Sequence, residues 1–188
     1  GDAMTLSRQL IILIVSLVLL LFLGTLSITV SNTRDYLETQ LGSHAQDAAT
    51  SLGLSATSHF ANDDRAMVTT MVNAMFHRGD YLQILLEDLS GEVWVERRVT
   101  PVTGEVPGWF VSTFALNPPE RSATMMSGWR QVGQVRVISH PGLAYEQLWE
   151  ATQHTLWLFL LGALAVLSLG LLGLRFMLRP LKAVEAQA

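Results

Sequence analysis

Two uncharged apolar runs, Leu10 to Val30 and Thr155 to Leu174, bracket this chain of 188 residues and leave about 120 polar-to-mixed residues between them. A helix rises about 1.5 Å per residue, so a run of about 20 residues crosses a hydrocarbon core of about 30 Å. Both runs are long enough to span. The expected architecture is therefore a hairpin through a membrane, with one folded domain of residues 31–153 on one side.

Basic residues beside the spans set the orientation, because Lys and Arg near the ends of transmembrane helices are retained in the cytoplasm. Arg8 precedes the first run, and Arg175, Arg179 and Lys182 follow the second. The segment 31–154 holds eight Arg, no Lys and fourteen acidic residues, a net charge of −6. This asymmetry places the middle domain outside the cytoplasm and both termini inside. The first run is longer than the apolar core of a cleaved signal peptide. It lacks a small-residue cleavage pattern and continues into a helical pattern, so it reads as an uncleaved anchor over residues 10–30. Gly1, Asp2 and Ala3, ahead of Met4, read as a cloning remnant.

There is no cysteine, so disulfides and thiolate metal sites are excluded and the outer domain depends on its apolar core. With no basic stripe in the middle segment, nucleic acid is set aside as a partner.

From Ser31 the helical period continues through Leu37, Leu41, Ala45, Ala48 and Leu52, which predicts one long helix from the first span into a stalk. Gly53 weakens that pattern. Asn62-Asp63-Asp64 ends it and caps a second helix bearing Met67, Val68, Met71, Val72, Met75 and Phe76. His77-Arg78-Gly79-Asp80 is a stop. The period then changes. Tyr81–Glu87 and Glu92–Val99 read as a hairpin turned by Asp88-Leu89-Ser90-Gly91, and Arg121–Met126 with Gln131–Ser139 as a second strand pair. Between them, Pro107 is expected in the first turn of a short helix burying Trp109, Phe110 and Phe114. Pro141-Gly142 precedes a helix through Leu143, Leu148 and Trp149 into the second span, residues 154–174. This order predicts an α+β fold of the PAS or Cache type, with an antiparallel sheet and long helices.

Between the second strand pair lies Met126-Ser127-Gly128-Trp129-Arg130-Gln131. Ser-Gly supplies turn geometry and places Trp129 at a hairpin tip, where it either folds back as a lid or is offered to another molecule. Trp and Arg dominate interface hot spots, so Met126, Ser127, Gly128, Trp129 and Arg130 form the candidate partner-binding set.

Gly128-Trp129-Arg130-Gln131, the run Val135-Arg136-Val137-Ile138-Ser139-His140-Pro141-Gly142-Leu143-Ala144-Tyr145, Leu148-Trp149 and the stalk segment Ser43-His44-Ala45-Gln46-Asp47-Ala48-Ala49 resemble the LapD family of inner-membrane cyclic di-GMP receptors. The resemblance runs from Met4 and extends to Leu178-Arg179-Pro180-Leu181, similar to the beginning of a HAMP domain, here 175–188. It implies a PAS-like periplasmic output domain in a domain-swapped dimer. That domain would sequester LapG, a calcium-dependent periplasmic cysteine protease, so that a surface adhesin is preserved and biofilm is kept. It also implies that Trp129 matches the loop tryptophan inserted into a pocket on the protease. Cyclic di-GMP would act only through degenerate GGDEF and EAL domains that this chain lacks.

Other chemistry finds little support. His44, His59, His77, His140 and His154 have no i, i+4 zinc spacing, and Asn62-Asp63-Asp64 lacks the alternating ligands of a calcium loop. Ser139 and His140 are adjacent strand residues pointing to opposite faces, so no catalysis, cofactor or metal is assigned. Trp94, Trp109 and Trp149 read as core or membrane-proximal, and Trp157 as lying near the outer interface. The rival expectation is the ligand-sensing domain of a histidine kinase or chemoreceptor, which should hold a small molecule within its sheet.

Overall fold

The computed structural model describes residues 2–185, with side chains from 5 to 177 and at 179. Gly1 and most of the HAMP-like segment from Leu178 lie outside the fully described residues. Eight elements follow in order: α1 (Asp2–Ala61), α2 (Arg65–Phe76), β1 (Tyr81–Asp88), β2 (Val93–Arg98), α3 (Gly108–Thr113), β3 (Arg121–Ser127), β4 (Arg130–Ser139) and α4 (Gly142–Glu185). The chain divides into two compact units, Val30–Trp149 and the terminal pieces Gly1–Thr29 with Glu150–Ala188.

In the terminal unit, α1 and α4 contribute helices long and apolar enough to cross a membrane. Their surfaces face outward, and Phe22 stacks on Phe159 with ring centroids 3.6 Å apart.

The central unit is built on a four-stranded antiparallel sheet in the order β2-β1-β4-β3. Alternation along β4 turns Val135, Val137 and Ser139 inward, and on β1 Ile84 and Leu86 join them. A register shift between Tyr81 and Gln83 carries Gln83 to the other side. There its amide donates to Glu96 at 3.1 Å and accepts from Arg98 at 2.9 Å, so this buried polar group is satisfied. The stalk part of α1 lays Ala45, Ala48, Ala49, Leu52, Ala56 and Phe60 on the sheet, and α2 adds Val68 and Val72. Alanine at four of these six places lets the helix backbone approach closely. Burying each of the larger aliphatic side chains contributes roughly 1.5 to 3 kcal/mol.

Asp64 caps α2, its Oδ1 accepting from the Met67 amide at 3.2 Å, and Asp63 beside it is left-handed at φ 60°. Three local expectations shift. On the short helix α3 only Phe110 is buried, and Trp109, expected to be buried with it, is exposed. Gly53 does not interrupt α1; it sits inside the helix facing the sheet, where a Cβ would lie 3.7 Å from Met125 and from Val135. Pro107 stands one place earlier than expected, as the N-cap of α3 at ψ 137°.

Candidate functional site

The candidate site is the tip joining β3 to β4. Ser127 pairs with Arg130, leaving a two-residue loop of Gly128 and Trp129. Gly128 has φ 69° and is the only one of the two with positive φ, the sign pattern of a II′ turn with glycine first. A Cβ at Gly128 would meet nothing within 4 Å, so glycine is needed here for its backbone rather than for room. The tryptophan is not folded back on the sheet: Trp129 is 98% exposed. Met126 is 45% exposed on the same hairpin, and Ser127 and Arg130 are exposed beside it.

A register shift between Met125 and Met126 bends β3 just before the tip. Opposite it, Gly133 is pressed against its surroundings: a Cβ there would lie 2.6 Å from the Glu87 carbonyl, 2.8 Å from Met125 and 2.9 Å from Phe60. Because β1 pairs with β4 through Asp88 and Gly133, the β1–β2 turn lies next to the Trp129 hairpin. That neighbouring turn is held by Asp88. Its Oδ1 accepts from the Ser90 amide (2.8 Å), the Ser90 hydroxyl (2.6 Å) and the Glu92 amide (3.0 Å). The Ser90 hydroxyl above all, helped by the turn amides, holds the Asp88 carboxyl below the usual range.

An open groove of about 440 Å³ separates the two turns, lined by Phe60, Leu89, Trp94, Arg130 and neighbours. Trp94 stacks on Phe60 at 3.7 Å, and the Arg65 guanidinium sits 4.6 Å over its ring. Arg65 is fixed in turn by Glu92 at 3.0 Å. The Trp94 indole N–H is buried with no partner among the described residues. Its neighbour Leu89 is 63% exposed, an apolar contribution that reading the turn motif alone had missed.

The residues weighed for other chemistry are dispersed. Ser139 donates to the Leu41 carbonyl at 2.8 Å, while the His140 ring faces the Val102 and Gly142 amides at 3.3 and 3.0 Å, so serine and histidine do not meet. His44 stacks on Tyr81 and His59 lies 3.3 Å from Asp64. Among the described residues no three His, Asp or Glu side chains gather in a metal-binding group. A second cleft, about 330 Å³, opens between α1 and the start of α4 and is lined by Gln40, His44, Asp80 and Gln147 among others.

Residues 26–149 match the LapD/MoxY periplasmic domain family. The chain belongs to this family. A solved structure, the LapD periplasmic domain from Pseudomonas fluorescence, is similar at 39% identity over 67% of this chain and 98% of that one, with a TM-score of 0.39. No curated protein matches. The LapD-like domain is thus a periplasmic signalling domain, in a chain whose two long apolar helices mark a membrane protein.

Proposed function

We propose that this chain is the membrane-spanning and output part of a cyclic di-GMP receptor that binds and sequesters a LapG-type periplasmic cysteine protease, protecting a surface adhesin and so biofilm. The observation that carries this reading is the 98% exposed Trp129 on a rigid two-residue turn. An exposed indole on a fixed loop loses little conformational entropy on binding and gains a large buried area, as hot-spot residues do. Gly128 sets the turn, Arg130 supplies a charge beside the ring, and Met126 and Ser127 frame it.

In this reading residues 10–30 and 154–174 span the inner membrane, 31–153 are periplasmic and both termini are cytoplasmic. The basic residues Arg8, Arg175 and Arg179 outside the apolar runs support that orientation. Two copies would present two Trp129 tips, exchanging elements as the family resemblance implies. The nucleotide would act through cytoplasmic domains that these 188 residues do not include. A movement of α4 would reach the hairpins as a change between two arrangements with different affinity for the protease.

Trp129→Glu is expected to weaken protease binding by about 2 to 4 kcal/mol, roughly 30- to 700-fold, with an unchanged circular dichroism spectrum. Co-purification of the protease with the full chain in detergent measures it. Undiminished capture by a folded variant refutes the proposal. Failure of both forms to capture protease, with a thermal shift caused by a small molecule, would instead favour ligand sensing at the cleft lined by His44 and Asp80.

A further inference from the structure

Trp109, on α3, is 62% exposed although aromatic rings surround its base. It meets Trp149 edge-on at 5.8 Å and Phe110 at 5.9 Å, and fully buried Phe110 lies 4.9 Å from both Trp149 and Phe114. The Trp109 carbonyl is already engaged, since the Ser112 and Thr113 hydroxyls both donate to it. What the element offers outward is the indole.

Its surroundings are unusual in this domain. Residues 106–119 carry no charge, in a segment 31–154 whose net charge is −6. Chain connectivity sets an upper limit on how far this stretch can lie from the apolar runs. Trp149 precedes Thr155 by six residues of α4, about 9 Å of helix. The Asn117 amide donates to Glu38 at 3.0 Å, and Glu38 follows Val30 by eight residues of α1, about 12 Å. The headgroup layer extends roughly 5 to 7 Å beyond the hydrocarbon on each side, and a tryptophan ring reaches several ångströms more.

We infer that α3 is a lipid-contacting element: Trp109 rests in the phospholipid headgroup layer of the bilayer that holds the two apolar runs. An amphipathic ring with a free-standing N–H is the side chain that collects at this depth. The attachment is apolar, because the stretch brings no cation to anionic lipid, so it should be insensitive to salt. The contact would tether the start of α4, through Trp149, to the membrane plane, and any turning of α4 would have to move Trp109 through the headgroups.

The chain has no cysteine, so Ser112→Cys, one helical turn from Trp109, provides a unique attachment point for a nitroxide. The full chain is placed in nanodiscs of phosphatidylethanolamine and phosphatidylglycerol. Collision of the label with oxygen and with a water-soluble nickel chelate then reports its depth. The expected result is a shielded, interfacial label at Ser112, against an aqueous one at Ser90→Cys, with no change on adding salt. Adding Trp109→Asp should raise nickel collision several-fold, and Trp109→Phe much less. Thr113→Cys serves as a second site should loss of the Ser112 hydroxyl disturb α3 by circular dichroism. A Ser112 label as open to nickel as the Ser90 label overturns the inference. So does a label that stays shielded in lipid-free amphipol and couples to its twin, which would assign the face to a second copy.

Discussion

Asp88 shows how a single side chain fixes a turn beside the candidate site. Its carboxylate takes three hydrogen bonds from Ser90 and Glu92, and these favour the charged form, lowering its pKa from 3.8. A carboxyl depressed in the folded state stabilises it fully above the ordinary value, and that contribution is lost as pH falls through the depressed one. The β1–β2 turn should therefore loosen only under acid conditions, below about pH 3.8. Amide exchange at Ser90 and Glu92, corrected for intrinsic rate, should accelerate there in the wild type. In Asp88→Asn the acid-dependent part should be absent and exchange faster at neutral pH. The Trp129 tip was legible at this scale because Ser-Gly between two alternating runs dictates a turn. The role of Asp88 was not: Asp88-Leu89-Ser90-Gly91 announces a hairpin, but which side chain accepts from which amide depends on rotamers.

At the scale of elements, the four helices and both strand pairs are visible as changes of hydrophobic period and turn signals, and the strand limits differ from expectation by at most one residue. Less visible were the irregularities. The shifts at Tyr81/Gln83 and Met125/Met126 have no local signature, since a bulge is set by the partner strand. Gly53 reads as a weak point of its helix and Gly133 gives no signal of its own, and the two differ in the room around them. The first tolerates ordinary contact, while the second has a backbone oxygen 2.6 Å from where a Cβ would sit. Gly133→Ala should accordingly destabilise the central unit by about 1 to 3 kcal/mol and open the β1–β4 seam, whereas Gly53→Ala should be neutral or better. Comparing urea midpoints of the two variants checks this, and equal midpoints would contradict it.

For the whole molecule the two apolar runs were the clearest signal, and the charge asymmetry beside them gives an orientation open to direct measurement. With no native cysteine, a membrane-impermeant maleimide should modify Ser90→Cys in intact spheroplasts, and Ser7→Cys only after permeabilisation. The reverse pattern would place the central domain in the cytoplasm and remove the proposed protease from reach. What no local pattern revealed was how the hairpins join, because strand order is settled by contacts distant in sequence.

That order has a consequence of its own. In β2-β1-β4-β3 every strand on one side of the central seam precedes residue 99, and every strand on the other follows residue 120. The polypeptide passes between these halves once, through the connection containing α3. A cut there would sever no hairpin, so two fragments could re-form the same sheet. By the same geometry, two intact molecules could trade halves without giving up a single ladder hydrogen bond.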